Sequence, residues 1–441
     1  MAHAPRRSLL TVLGLTFGLA VTVGNIIGAG IFRTPGEIAA HLPTFGLYLT
    51  VWLVGGAYAL LGANALAELG TLVPRSGGQY VFVRHALGPY AGFIVGWGDW
   101  LSTCGTTAAV AIALGEYALV LLPSARAVEV IALGAVAILT LVQWGGIRWG
   151  SWMQDFTSFA KAVALLLLVA ACFWLGARSP GGVSIEAEHE GSLLLAFVLA
   201  LQSVIYTYDG WTAVIYFSEE VKEPGKNIPR SMFGGVISVI ALYLLINIAF
   251  LHVVPLGSIA GEKLPAAIVA KHLFGYRADT IIRLIAIVAL ISAVNSNVLM
   301  APRVLFAMSR DGFFWRGGTE VNRGGTPDVA LLISSLLAAV VILWGGFASV
   351  IAMLTFCFVV NYALSFASLF VLRKREPDTP RPFRAFGHPV TTAIGFVASI
   401  AFLAGALIGD IKTSICAVVA LAVSLPLYLL IRPERRAEER G

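Results

Sequence analysis

Two long apolar segments of the chain are interrupted where a membrane-spanning helix should run without a break. The first interruption is Gly28-Ala29-Gly30, and the second is the stretch YDGW at 208–211. Inside a bilayer, backbone groups freed by a break must find partners, and each unpaired group costs several kcal/mol. Broken helices therefore persist where they are buried or where they line a cavity. Two breaks in corresponding positions of two halves favour a buried site for a small molecule between them.

The composition indicates a membrane protein. Of the 441 residues, 58% are hydrophobic and 12% are charged, whereas globular domains are about 25% charged. Apolar stretches of about 18 or more residues predict about twelve membrane spans. Their predicted bounds are 11–36, 44–72, 90–121, 127–145, 156–176, 193–217, 232–254, 280–308, 328–345, 347–372, 389–409 and 411–431. An even number of spans returns the C-terminus to the side of the N-terminus, and arginines at 373–384 and in the tail predict that this side is the cytoplasm.

The same patterns exclude several classes of protein. The net charge of +6 comes from loop arginines and lysines and does not indicate nucleic-acid binding. The four cysteines (Cys104, Cys172, Cys357 and Cys416) all lie in apolar segments, so we interpret them as packing residues. The seven histidines form no cluster with cysteines or carboxylates at the spacing of a metal site or a catalytic triad. We therefore expect no enzyme activity, no metal and no cofactor.

The chain is predicted to form one transmembrane domain, 1–431, followed by a cytoplasmic tail, 432–441. Its first half, 11–177, and its second half, 192–373, each contain five spans and open with a broken helix. Because five is odd, the two halves run in opposite directions through the membrane, which is the inverted-repeat arrangement. Two further helices, at 389–431, follow the repeats.

Four stretches resemble those of one transporter superfamily. They are VGNIIGAGIF at 23–32, PRSGGQY at 74–80, YTYDGW at 206–211, and EE at 219–220 with Pro224 and NIP at 227–229. The chain is similar in these stretches to the amino acid–polyamine–organocation (APC) superfamily and, through 208–211 and Lys161, to its L-type amino acid transporter (LAT) family. The resemblance implies an all-α, leucine-transporter-like fold with broken helices 1 and 6, and alternating access to a central site.

The first break is expected to bind the carboxylate of an α-amino acid. A helix N-terminus exposes free N–H groups and the positive end of its dipole, and Gly28, Ala29 and Gly30 are small enough to let a carboxylate approach them. The alternative is that this triplet is only a close helix-packing motif. The carbonyl groups expected to bind the ammonium group are those of Ile27, Thr207 and Tyr208.

Three further side chains are candidates around the second break. Tyr206 resembles the family's aromatic residue that closes over bound substrate, so we expect it to act as a gate; the alternative is an ordinary core aromatic. Asp209 is an ionisable residue inside a span. It is expected to cap the broken half-helix, and the alternatives are a proton site or a partner for cationic substrates. Asn361 aligns loosely with a family position near the substrate side chain.

Lys161 matches a lysine that stands, in L-type and some proton-coupled relatives, where sodium-coupled relatives hold an ion. The resemblance implies that its ammonium group bonds to carbonyls of the first broken helix and to span 8 at Ser292 or Ser296, which would make transport independent of sodium. Two alternatives remain. The side chain could snorkel to the interface, because it lies only five residues beyond the predicted start of its span at 156. It could also carry a coupled proton.

The resulting functional prediction is a secondary transporter of neutral L-amino acids, independent of sodium, that works by exchange or facilitated diffusion. Proton-coupled symport is the alternative, and a receptor or channel on the same scaffold is a remote one. The expected partners are an amino acid and the lipid bilayer, most simply a bacterial inner membrane. The resemblance to eukaryotic L-type transporters implies pairing with a heavy subunit through a cysteine in the loop after span 3. The corresponding loop here, 121–128, has no cysteine, so no disulfide-linked heavy subunit is expected. Asp99, Glu116 and Arg33 receive no role.

Overall fold

Helices make up nearly all of the chain that the computed structural model describes, which is 8–28, 30–42, 44–121, 127–176, 192–275, 278–344, 347–409 and 411–431. The all-α prediction is confirmed for these residues. The α-helices, in order, are α1 Leu15–Ile26, α2 Gly30–His41, α3 Phe45–Leu72, α4 Gln79–Leu87, α5 Pro89–Leu121, α6 Val128–Trp144, α7 Ile147–Leu175, α8 Leu193–Tyr208, α9 Pro224–Val253, α10 Leu256–Ile259, α11 Pro265–Phe274, α12 Ala278–Arg310, α13 Asp328–Trp344, α14 Phe347–Arg375, α15 Val390–Gly409, α16 Ile411–Ala422 and α17 Ser424–Ile431. The predicted tail, 432–441, lies outside the described residues.

Multiple membrane spans are confirmed. Among the described residues, nine helices are long and apolar enough to cross a membrane, and the number is ten if α1 and α2, bent by 42°, form one broken span. Helices α6 and α13, of 17 residues each, coincide with the predicted fourth and ninth spans. The total of twelve stays a prediction, as does the division into two repeats.

The predicted start of the fifth span is wrong. Helix α7 begins at Ile147 and not at 156, because Gly146 turns the chain with a φ of 127° and the amide of Ile147 is held by the carbonyl of Gly324 at 3.0 Å. Lys161 therefore lies near the middle of a 29-residue helix. This position removes the geometric basis for snorkelling from a nearby helix end.

The second half of the predicted sixth span is not an α-helix. After α8 ends at Tyr208, the chain turns and forms a 3₁₀ helix, Ala213–Phe217. The carbonyl of Phe217 then accepts hydrogen bonds from the amides of Glu220 and Val221, which turns the chain towards its own N-terminal segment. We call Ala213–Phe217 the 3₁₀ segment.

The broken elements lie at the centre of the bundle. Helix α1 packs against α7, α9, α12 and the 3₁₀ segment, whereas α2 packs against α8, α10 and α11. Helix α5 packs against α4, α12 and α14. Both breaks are therefore enclosed by long helices, as irregular backbone at membrane depth requires.

One face of the bundle, which we call the basic face, carries the loops and adjoining helix ends 73–78, 218–223, 310–327 and 373–389, in which Lys and Arg outnumber Asp and Glu. Here the N-terminal segment is bonded to the chain after the 3₁₀ segment: the amide of Leu13 donates to Glu220 at 2.9 Å, and that of Lys222 donates to Leu13 at 2.8 Å. Arg303 and Glu220 form a bidentate ion pair with both distances 3.0 Å, and neither side chain has any exposed surface. Arg303 also lies over the ring of Phe217, 4.9 Å from its centre.

We predict that Glu220→Gln will strongly destabilise the protein. It leaves the buried guanidinium of Arg303 without its counter-charge, and breaking a buried pair in this way costs about 3–5 kcal/mol. Thermal unfolding of the purified protein in detergent measures the loss. The matched control is Glu223→Gln, which removes the exposed pair with Lys226 (69% and 70% exposed) and should change stability little. Equal effects of the two changes would contradict the importance assigned to the buried pair.

Candidate functional site

A cavity lies where the two breaks meet. It encloses about 740 Å³ of empty space, counting open solvent at its mouth. Its wall combines residues of both breaks with residues of α5, α12 and α14, namely Asn25, Ile26, Gly28, Gly30, Thr103, Thr106, Val110, Tyr206, Thr207, Asp209, Gly210, Thr212, Tyr216, Ala293, Asn297, Met300, Phe358 and Tyr362. Asp209 is the one carboxylate in this set, which contains no lysine or arginine.

Two glycines allow the breaks to touch backbone to backbone. A Cβ atom on Gly30 would lie 3.1 Å from the Cα atom of Thr207, and one on Gly210 would lie 2.8 Å from the carbonyl carbon of Asn25. Gly210 also has a φ of +110°, a conformation that other residues rarely adopt. The first turn of α2 presents amide groups that lack partners within the helix, and Gly28, next to it, has open space on its Cβ side, the nearest atom being 4.0 Å away.

Lys161 is bonded to the first break. Its side chain is fully buried, and its Nζ atom donates to the carbonyl oxygens of Gly24 at 2.5 Å and Ile27 at 2.7 Å. These carbonyls belong to the last turn of α1, whose C=O groups have no partner within the helix. The expected contact between Lys161 and the first broken helix is therefore present.

The expected contacts of Lys161 with span 8 are not among the hydrogen bonds of the described chain. Ser292 instead contacts the hydroxyl of Ser158 at 3.2 Å, on the same helix as Lys161. Ser296 donates to Asn25 at 3.0 Å and to the carbonyl of Ala293. Both serines thus join α12 to its neighbours, but they do so without the ammonium group.

The hydroxyl of Tyr243 lies between carbonyls of the two breaks. It is 3.0 Å from the carbonyl of Ile26 and 3.3 Å from that of Thr207, which share its single proton. Of the three carbonyls expected to bind an ammonium group, that of Ile27 is bonded to Lys161 and that of Thr207 lies within reach of Tyr243. Thr207 lines the cavity and its hydroxyl contacts that of Thr34 at 2.7 Å, whereas Ile27 does not line it.

Two other predicted ligands also lie outside the cavity wall. Tyr208 points between Trp52 and Tyr243, with ring centres 6.1 and 5.1 Å away. Asn361 is fully buried, and it is the next residue, Tyr362, that lines the cavity. Ala29 lies outside the described residues, so its predicted role stays a prediction.

The remaining predicted residues of the second break face the cavity. Tyr206 is half-buried in its wall. The carboxylate of Asp209 accepts a hydrogen bond from the hydroxyl of Tyr362. The expected capping role of Asp209 stays a prediction. The 3₁₀ segment begins after Thr212, whose own side chain makes no cap hydrogen bond, and the contact with Tyr362 joins Asp209 to α14.

Several wall residues were not predicted. Asn25 accepts hydrogen bonds from Ser296 at 3.0 Å and Asn297 at 3.3 Å, which fixes its side chain beside the first break. Because Asn25 lies only three residues before Gly28, its position in the sequence could have predicted that it lies beside the first break. Thr103 and Thr106, one turn apart on α5, had no such signal, because threonines are common at helix contacts within membranes.

Comparison with known proteins agrees with this geometry. A sequence profile described as amino acid permease matches residues 8–429. The chain belongs to the amino acid permease family. Similar proteins include the serine/threonine exchanger SteT of Bacillus subtilis (strain 168), which is 28% identical over 436 residues covering 97% of this permease and 98% of that protein.

Eukaryotic transporters are similar as well. The b(0,+)-type amino acid transporter 1 of Homo sapiens is 27% identical over 386 residues, which cover 86% of this permease and 79% of that protein. The large neutral amino acids transporter small subunit 2 of Rattus norvegicus is 29% identical over 388 residues, with coverage of 84% and 72%. These relatives are transporters and not enzymes, and they confirm the resemblance to the APC superfamily and its LAT family.

We predict that Lys161→Met will loosen the first break. The change leaves the carbonyls of Gly24 and Ile27 without their donor, and each buried unpaired group costs about 1–3 kcal/mol. Amide hydrogen exchange at 24–31 should therefore accelerate by about tenfold or more. The control is Phe159→Leu, on the same helix, where the side chain is 71% exposed. Unchanged exchange at the break in the Lys161 variant would show that the ammonium group does not hold it.

Proposed function

We propose that this permease is a sodium-independent exchanger of neutral L-amino acids. The observation that carries the proposal is the bonding of the Lys161 ammonium to the carbonyls of Gly24 and Ile27. Freed carbonyls at the end of a broken helix are the groups that coordinate a coupling cation in transporters of this general design. Here a covalently attached positive charge occupies them, so a dissolved sodium ion is not needed to complete the site.

The substrate is proposed to lie between the two breaks. Its carboxylate would bind at the N-terminus of α2, where free amides and the helix dipole favour an anion. Its ammonium group would face the end of α8 near Asp209, and its side chain would contact Val110, Met300 and Phe358. The absence of lysine and arginine from the cavity wall supports backbone recognition of the carboxylate, and the apolar contacts support a neutral side chain.

Exchange is proposed on the basis of the relatives. SteT is described as a serine/threonine exchanger, and the rat relative is described as a transporter of large neutral amino acids. We propose the same mode here, with the basic face in the cytoplasm of a bacterial cell, two inverted repeats at 11–177 and 192–373, and no heavy subunit. Helix α1 and the 3₁₀ segment would then separate from α5 when the site opens to the cytoplasm.

Proton-coupled symport is the second candidate, and Asp209 favours it. This carboxylate lines the cavity inside the membrane, where ionisable residues mark ion and proton pathways. Its hydrogen bond from Tyr362 joins the second break to α14, so a proton taken up at this carboxylate would alter that contact. The two candidates differ in what drives uptake, which one experiment can measure.

The test is uptake of labelled amino acids into proteoliposomes that contain only this protein. We expect serine, threonine or larger neutral amino acids to enter faster when unlabelled amino acid is present inside, with no response to a sodium gradient. Vesicles without protein give the background. Accumulation driven by sodium would refute the proposal, accumulation into empty vesicles driven by a proton gradient would favour the symporter, and activity only after addition of a second subunit would refute independent function.

We further predict that Tyr206→Ala will weaken apparent substrate affinity by about tenfold. The ring covers the cavity, and contacts of an aromatic ring are worth about 0.5–1.5 kcal/mol beyond its buried area. The matched control, Tyr206→Phe, keeps the ring and should keep most of the affinity. Concentration dependence of exchange measures both. If the alanine and phenylalanine variants transport alike, the ring is not a gate.

A further inference from the structure

Asp99 is a buried carboxyl group to which the proposed transport mechanism assigns no role. It lies in α5 with no exposed surface. Its Oδ1 atom accepts a hydrogen bond from the hydroxyl of Tyr216 at 2.7 Å, and its Oδ2 atom has no partner among the described residues. Tyr216 belongs to the 3₁₀ segment and lines the substrate cavity. The hydrogen bond between Tyr216 and Asp99 therefore joins the 3₁₀ segment, which moves in the proposed mechanism, to α5.

Among the described residues, no ion pair or hydrogen bond joins Asp99 to a cation. The elements packed against α5 carry the following charged and titratable side chains that the structure describes: Tyr216 of the 3₁₀ segment, Tyr80, Arg84 and His85 of α4, Arg283, Arg303 and Arg310 of α12, Cys357, Tyr362, Arg373, Lys374 and Arg375 of α14, Glu129 at the start of α6, Asp328 at the start of α13, Cys416 of α16 and Tyr428 of α17. Arg283 lies over the ring of Tyr117, 5.9 Å from its centre. Arg84 pairs with Asp311, Arg303 with Glu220, and Arg373 with Glu68. The nearest carboxylate in the cavity wall, Asp209, adds a charge of the same sign.

Two helices packed against α5, α14 and α4, carry buried polar side chains that are incompletely bonded. Asn361, whose Oδ1 atom would lie 3.8 Å from a Cβ atom on the neighbouring Gly98, has neither of its side-chain polar atoms paired. The Nε2 atom of Gln79 is also unpaired, while its Oε1 atom accepts from Ser365 at 2.9 Å. Buried polar atoms without protein partners indicate bound water. Such water would connect the carboxyl group to the cavity.

A carboxylate that is buried and lacks a counter-ion is costly, and such groups usually bind a proton instead. We propose that Asp99 is a proton-binding site whose protonated form holds the 3₁₀ segment against α5. The proton comes from water in the cavity and is carried on Oδ2. When the 3₁₀ segment moves away, water from the basic face reaches the carboxyl group, which ionises and transfers the proton to that water. No other bond forms or breaks.

The sign of the pH dependence follows from this assignment. The closed form binds the proton more tightly than the open form, so a low pH stabilises closure and a rising pH favours opening of the basic face. This inference concerns regulation and does not depend on which molecule is transported. Its test can therefore be made without substrate, and its failure is distinguishable from failure of the exchange proposal.

The test measures how readily a thiol beside the 3₁₀ segment is labelled by a membrane-impermeant maleimide. Ser218→Cys supplies the thiol, because Ser218 is 2% exposed in the closed form, and Cys416→Ser removes an exposed native thiol. Labelling rates are compared between about pH 5 and pH 8, with Asp99 intact or changed to Asn. The two proteins are compared at the same pH, so the ionisation of the thiol itself affects both labelling rates equally.

We expect the ratio of the labelling rates, protein with Asp99 over Asp99→Asn variant, to increase as the pH rises. At the upper end the ratio should reach about ten, which corresponds to a tenfold difference in proton affinity between the closed and open forms. The uncharged variant should stay closed throughout. Asp155→Asn, at a carboxyl group of α7 outside the cavity wall, is the control and should follow the unchanged protein. If Asp99→Asn fails to fold, Asp99→Ser provides a second neutral variant. Identical pH profiles with and without the Asp99 carboxyl group would overturn the proposal.

Discussion

The fold depends on how it satisfies the backbone groups that two broken helices release inside the membrane. The ammonium group of Lys161 binds two carbonyls at the end of α1, and the hydroxyl of Tyr243 lies within reach of one carbonyl from each break. Because unpaired groups at this depth cost several kcal/mol each, these donors are as necessary to the break as the glycines within it. The amide N–H groups at the start of α2 have no carbonyl partner within the helix. They are therefore suited to bind a substrate carboxylate.

The features that the sequence could predict are those in which one residue type satisfies one physical demand. Glycines marked both breaks, because only glycine permits the backbone contacts at Gly30 and Gly210. The resemblance to the LAT family implied that Lys161 contacts the first broken helix, and its Nζ atom does bond to the carbonyls of Gly24 and Ile27. In each case the constraint is local, so it survives without knowledge of the neighbouring helices.

The errors concern directions and partners that depend on how helices are rotated against each other. Asn361 and Tyr362 are adjacent in sequence, yet only the tyrosine lines the cavity. Ser292 was expected to meet Lys161, but it contacts Ser158 on the same helix instead. The 3₁₀ form of Ala213–Phe217 had no signal in the sequence, since apolar composition alone does not distinguish it from an α-helix. Adjacent residues of an α-helix point about 100° apart. An error of one position therefore places a buried core residue in the cavity wall, or a wall residue in the core.

The pairing of Leu13 with the chain at 220–222 uses backbone atoms only. The hydroxyl of Thr11 adds a hydrogen bond to the carbonyl of Glu219 at 2.9 Å, and the side chain of Leu13 is 2% exposed. The junction therefore depends on these side chains and also on how many residues separate it from α1. Removing one residue there would shift an extended chain by about 3.3 Å, more than the length of a hydrogen bond, and would detach the N-terminal segment from the chain at 220–222. The number of residues in this stretch is thus constrained by a contact about 200 residues further along the chain.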